Sequence, residues 1–236
     1  SGVCPMNVAE KIIVALDVGS RSEVEATLER LPQVRFVKVG MELFYSEGPG
    51  LIQILKEQGL KVFLDLKVHD IPNTAAGAMR SLRRAGCDLV NLHCQGGLEM
   101  MQRAREAVGE DTKLLGVTQL TSTNQRILND ELGIPGTVEE SVLGYAQLAQ
   151  RANLAGVVCS PLEVAAIKRV CGNNFLAVTP GVRPLTSGAN DQKRTMTPRE
   201  AIQAGSDYLV IGRPILASPD PHGAFLAILH EIEVAA

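Results

Sequence analysis

Short apolar runs rich in Val, Ile and Leu recur along the chain, and each is followed by a longer segment whose apolar positions repeat with helical spacing. The runs predict strands at Lys11–Asp17 (KIIVALD), Arg35–Val39 (RFVKV), Lys61–Lys67 (KVFLDLK) and Asp88–His93 (DLVNLH). Four more are predicted at Lys113–Thr118, Gly156–Cys159, Phe175–Thr179 and Tyr208–Ile211. Helices are predicted at Ser20–Leu31, Gly50–Gln58, Asn73–Ala85, Leu98–Val108, Glu139–Asn153, Pro161–Val170, Pro198–Ala204 and Gly223–Val234. Ser20 with Glu23 reads as a capping box, and Gly59 and Gly86 as helix stops. Such alternation implies a parallel sheet. Eight units in 236 residues, with no Pro/Gly-rich linker between them, favour one closed (β/α)8 (TIM) barrel over 1–236. No GxGxxG follows the first strand, which speaks against an open doubly wound sheet. Residues 1–8 are read as an N-terminal extension of the barrel domain, disordered or foreign to the natural protein.

Composition narrows the class. With 45% hydrophobic and 21% charged residues the chain reads as an ordinary soluble globular protein. Aromatics are 3% and Trp is absent, so the core is expected to be built from Val, Leu, Ile and Ala. A net charge of −3 gives no basic surface for nucleic acid. No apolar run is long enough for a membrane helix, and the opening Ser-Gly-Val-Cys-Pro lacks the charged-then-apolar pattern of a secretory leader. The five cysteines are odd in number and include no CxxC pair, which suggests reduced thiols and a cytoplasmic protein.

Polar residues gather where strands end. Asp17, Lys38, Asp65, Lys67, His93, Thr118 and Gly212 fall at or near the carboxyl ends of predicted strands, the face that carries chemistry in barrel enzymes. One polar strand end needs only solvent to explain it; ionisable groups on several successive strands ask for more. In Asp65-Leu66-Lys67, alternation points Asp65 and Lys67 into the barrel mouth and Leu64 and Leu66 toward the helices. Asp70 follows on the loop. Burying such charges is costly unless they pair, so a structural ion pair is the plain alternative to a catalytic one.

The stretch D-L-K-x-H-D-I-P-N-T at Asp65–Thr74 resembles the orotidine 5′-monophosphate decarboxylase family, in its short bacterial form. So do Val14-Ala-Leu-Asp17, Val37-Lys-Val-Gly40, Val117-Thr-Gln-Leu-Thr-Ser122, Val178-Thr-Pro-Gly-Val-Arg-Pro184 with Asp191-Gln192, and Val210-Ile-Gly-Arg-Pro214. These matches run in order through nearly the whole chain. The resemblance implies a cofactor-free barrel that removes CO2 from orotidine 5′-monophosphate to give UMP. It implies that Asp65, Lys67 and Asp70 are catalytic. It also implies a homodimer with shared active sites, Asp70, Ile71 and Thr74 reaching into the neighbouring subunit. Asp17 and Lys38 would bind ribose hydroxyls, Thr121 and Ser122 would lie by the base, and Arg183, Gln192, Gly212 and Arg213 would hold the phosphate.

The chemistry is consistent with those residue types. Decarboxylation leaves an electron pair on a carbon with no π-system to absorb it, and a fixed ammonium can stabilise that charge and then donate a proton. A Schiff-base role would need a neutral lysine, which flanking carboxylates oppose. Gly181–Arg194 lacks periodicity and carries Arg183, Gln192, Lys193 and Arg194, as expected of a loop that closes on a dianion. Related metal-dependent barrels that act on sugar phosphates share DxKxxD but are expected to carry an acidic ligand where this chain has Lys38. A phosphate-binding barrel without catalysis would not need Asp65, Lys67 and Asp70 together. Neither His69 nor His93 has a second histidine at ligand spacing, so no metal is expected, and His222 and His230 are read as surface residues. Met100 and Met101 are read as helix packing, and Cys94 and Cys159 lack an obvious base partner.

Overall fold

A computed structural model describes residues 7–184 and 195–235. Eight strands close a parallel barrel in sequential order: β1 Ile12–Ala15, β2 Phe36–Gly40, β3 Lys61–Val68, β4 Leu89–His93, β5 Lys113–Val117, β6 Gly156–Val158, β7 Leu176–Pro180 and β8 Tyr208–Ile211. Closure is made by β1 on β8, with Val14 opposite Ile211. The surrounding helices are α1 Arg21–Glu29, α2 Met41–Glu47, α3 Gly50–Glu57, α4 Pro72–Ala85, α5 Leu98–Val108, α6 Val138–Arg151, α7 Val164–Cys171, α8 Pro198–Ala204, α9 Arg213–Leu216 and α10 Pro221–Glu233. The expected barrel is therefore present.

Two cores follow from strand alternation. Ile13, Phe36, Phe63, Leu89, Leu115, Val178, Tyr208 and Val210 fill the barrel, while Val14, Val37, Leu64, Val90 and Leu92 face the helices. The interior uses aromatics more than the composition suggested: Phe36 and Tyr208 meet edge to face at 5.6 Å. Met100 and Met101 are fully buried, as helix packing requires.

Other expectations shift. The Ser20 hydroxyl accepts from the Glu23 N–H at 3.3 Å, but the Glu23 carboxylate reaches the Gly19 N–H at 2.7 Å, so the box is displaced by one residue. Strand β1 stops at Ala15, which leaves Asp17 beyond the ladder. Asn7 and Val8, expected in the N-terminal extension, belong to the fold: the Asn7 side chain caps a 3-10 turn at Val8–Lys11, and Val8 packs on the outer core. Residues 1–6 lie outside the described residues. His222 is half-buried rather than on the surface, and its Nδ1 has no partner among the described residues; His230 is exposed as expected.

Candidate active site

The register between β2 and β3 sets Gly40 against Asp65, and that between β1 and β2 sets Ala15 against Lys38. Consecutive strand ends thus bring their charges together. Lys67 Nζ lies 2.8 Å from Asp65 Oδ1, Lys38 Nζ lies 3.5 Å from Asp65 Oδ2, and Lys38 Nζ lies 3.7 Å from Asp17 Oδ1. The result is an alternating array, Asp17–Lys38–Asp65–Lys67, in which no two like charges are neighbours. Burial alone would push the Asp65 carboxyl up. The hydrogen bond from Lys67, the charges of Lys38 and Lys67 and a hydrogen bond from Asn91 outweigh that, and the carboxyl lies below the usual aspartate value.

Lys67 is reached by an unexpected route. Pairing of β3 with β4 jumps from Leu64 opposite Val90 to Val68 opposite Leu92, which places two extra residues in β3. Lys67 sits in that irregularity with φ 51°, a left-handed conformation that costs a non-glycine residue energy. Leu64 and Leu66 face the outer core as alternation requires, but the backbone carrying Lys67 is not regular strand.

A cavity of about 220 Å³ opens beside the array, lined by Lys38, Asp65, Lys67, Thr121 and Ser122 together with the apolar Phe63, Val117, Val158 and Val210. Gly212, after β8, lies beside Asp17: a Cβ there would stand 3.4 Å from the carboxylate. Arg213 is exposed at the start of α9. The Arg183 N–H donates to the Met196 carbonyl at 2.9 Å, which joins the chain on either side of 185–194. Gln192 lies outside the described residues.

Asp70, Ile71 and Thr74 do not join the array of their own chain. The Asp70 carboxylate accepts the Ile71 N–H at 2.7 Å, and Asp70 makes no ion pair among the described residues. Ile71 is 67% exposed, a large apolar side chain left in solvent.

Two features beside the array were not legible in the sequence: Asn91, and the pairing of His69 with His93. Asn91 is 1% exposed and bonded to both Asp65 and the Lys67 backbone; its only signal was an amide inside the apolar run DLVNLH. His69 and His93, far apart in sequence, stand with ring centroids 5.7 Å apart because β3 and β4 are adjacent. Burial pushes His93 below the usual histidine value, and the charges of His69 and Lys67 add to that. Cys94 and Cys159 are buried and their thiols are pushed up by burial, Cys94 to about 12, which opposes a nucleophilic role.

A closed parallel barrel with a carboxylate–ammonium array and a base-sized cavity at its carboxyl-terminal mouth defines a barrel enzyme of the lysine–carboxylate class. The chain belongs to the Orotidine 5'-phosphate decarboxylase / HUMPS family, whose model matches residues 10–228. It is 52% identical over 219 residues to the orotidine 5'-phosphate decarboxylase of Thermosynechococcus vestitus, covering 92% of this chain and 94% of that protein. The Streptococcus suis enzyme of the same name is 49% identical over 221 residues, covering 93% and 96%. The crystal structure of orotidine 5'-phosphate decarboxylase from Lactobacillus acidophilus superposes with a TM-score of 0.85 at 39% identity, covering 94% of this chain and 99% of that one.

Proposed function

We propose that this barrel is an orotidine 5′-phosphate decarboxylase, a carboxy-lyase that converts orotidine 5′-monophosphate to UMP and CO2 in de novo pyrimidine biosynthesis. The observation that carries the reading is the array Asp17–Lys38–Asp65–Lys67 along the cavity. The pyrimidine lies against Thr121 and Ser122, with its carboxylate toward Asp65 and Lys67. Asp17 and Lys38 take the ribose hydroxyls, and Arg183, Gln192, Gly212 and Arg213 hold the phosphate. The ring carbon–carboxylate bond breaks, CO2 leaves, and the electron pair stays on the ring carbon. The Lys67 ammonium stabilises that pair and then gives the carbon its proton, and solvent restores the ammonium.

Among the described residues of one chain Lys67 has a single acidic partner, Asp65. The second is Asp70 of another copy, delivered with Ile71 and Thr74, so the working unit is a homodimer with shared sites. Exposure of all three residues supports this. The reaction needs no metal and no organic cofactor, because Lys67 supplies the positive charge. Lys38 also stands between Asp17 and Asp65, where it would repel a divalent cation. The nucleotide is the partner molecule; nucleic acid and membrane are not. The four described cysteines are free thiols, which suits a cytoplasmic enzyme, and no described helix is long and apolar enough to cross a membrane. Formation of UMP and CO2 from orotidine 5′-monophosphate, assayed with and without excess chelator, tests the reading. Equal turnover is expected. Loss in chelator, restored by Mg²⁺, would point instead to the metal-dependent sugar-phosphate chemistry.

A further inference from the structure

Asn91 occupies a barrel-interior position that an apolar residue would fill more cheaply. It is third in β4, with Leu89 in the inner core two residues before it and Val90 and Leu92 facing outward. At 1% exposure its amide has lost its water, and both ends are bonded within the protein. Oδ1 accepts the Lys67 backbone N–H at 2.9 Å, and Nδ2 donates to Asp65 Oδ1 at 2.8 Å. A backbone N–H can only donate and a carboxylate paired with lysine can only accept, so one orientation of the amide satisfies both.

The two bonds fall where the site is least supported. Between the pairs Leu64–Val90 and Val68–Leu92 the β3–β4 ladder is interrupted, and the Asn91 side chain bonds the left-handed Lys67 in its place. On the other side, Asp65 Oδ1 receives Asn91 and Lys67 Nζ together, each at 2.8 Å, while Oδ2 faces Lys38. Asn91 therefore fixes the rotation of the carboxylate that aims the Lys67 ammonium, and the backbone from which that ammonium extends. It is not among the residues lining the cavity.

We propose that Asn91 is a positioning residue for decarboxylation, clasping Asp65 and the Lys67 backbone so that the ammonium meets the reacting carbon. This rests on the reading of the site as a decarboxylase. Misplacing a reacting group by about 1 Å can cost ~10²-fold in rate. Asn91→Ala is expected to lower kcat by about that factor while KM, and the affinity for UMP as a product probe, change less than about three-fold. Asn91→Asp, nearly the same shape, separates positioning from packing. Ionised, it keeps the acceptor for Lys67 but sets a second carboxylate against Asp65; protonated, it can donate to Asp65 as the amide does. One proton shared by such a pair is held to higher pH than usual.

The test is steady-state decarboxylation by wild type and both variants between about pH 8 and pH 5.5, with UMP binding and circular dichroism on each protein. Asn91→Asp should lose about 10²-fold in kcat at the upper end, keep UMP affinity, and recover relative to wild type as pH falls. Wild-type-like kcat for Asn91→Asp at both ends would overturn the proposal. So would loss of kcat together with UMP affinity and no recovery in acid, since that is what a packing residue does. If Asn91→Ala does not fold, Asn91→Asp decides. Wild type inactive on orotidine 5′-monophosphate would instead refute the decarboxylase reading and take this proposal with it.

Discussion

Lys67 meets three constraints at once: a backbone φ of 51°, an N–H given to Asn91 and an ammonium 2.8 Å from Asp65. Its replacement separates chemistry from structure, because Asp65 keeps Lys38 at 3.5 Å and Asn91 at 2.8 Å. Lys67→Ala is therefore expected to fold and to lose at least ~10²–10³-fold in turnover, the scale of a single lost electrostatic donor. UMP formation by a variant shown to be folded by circular dichroism is the check; a tenth of wild-type turnover would contradict it. His93 provides a second prediction at this scale. Its value is lowered from 6.5 in the fold, so the unfolded chain binds more protons below that pH. The stabilisation is present above about pH 6.5 and is lost as pH falls through the folded value. Melting temperature should thus fall between about pH 7 and pH 5.5, and fall less in His93→Gln; equal slopes would refute it. Asp65, lowered from 3.8, titrates elsewhere: its contribution is present above that value and lost only in stronger acid. Asp65 and Lys67 were legible in the sequence because a short motif holds them together. Asn91 and the histidine pair were not, since their partners are brought near only by strand adjacency.

Among elements, the strands and long helices could be read because their apolar period is sustained. The elements missed are short. Helix α2, Met41–Glu47, begins directly at the end of β2 with glycine as its N-cap and no side-chain capping bond, so no polar signal marks it. Helix α9 is one turn, Arg213–Leu216, and the π-turn Ile127–Glu131 is barely longer, too short to show a period. The irregularity in β3 was also hidden, because KVFLDLK alternates as an unbroken strand would. The ends of the strands opposite the mouth carry a repeated device. Asp88 accepts from Lys56 Nζ at 2.6 Å and the Val62 N–H at 2.8 Å; Asp207 accepts from Lys168 Nζ at 2.7 Å and the Ala177 N–H at 2.8 Å. Each ties the residue before a strand to the previous strand and to the helix that leads into that previous strand. Asp207→Ala leaves the Ala177 N–H and one donor of the mostly buried Lys168 without partners, so it should cost ~1–3 kcal/mol. Urea unfolding should show that loss while turnover at 25 °C stays near wild type. A drop in turnover with stability unchanged would mean this end of the barrel acts on the site.

At the scale of the molecule, closure is what turns sequence order into a site. Because the eight strands are parallel and adjacent in order, every carboxyl end opens on one mouth, and Asp17, Lys38, Asp65 and Lys67 arrive there from three consecutive strands. That much followed from the alternating pattern along the chain. What one chain's pattern does not carry is the completion of the array, because the partner for Lys67 is proposed to come from another copy. Asp70 is turned to the Ile71 N–H, and Ile71 stands in solvent. The most direct test mixes Lys67→Ala and Asp70→Ala chains, each nearly inactive alone, by unfolding and refolding them together. With random pairing about half the dimers are mixed, and each mixed dimer has one site with both lesions and one with neither. Decarboxylation should return to about a quarter of the wild-type rate per site. A mixture no more active than its parents, with mixed dimers confirmed by mass spectrometry, would contradict the shared site and leave Asp70 acting within its own barrel.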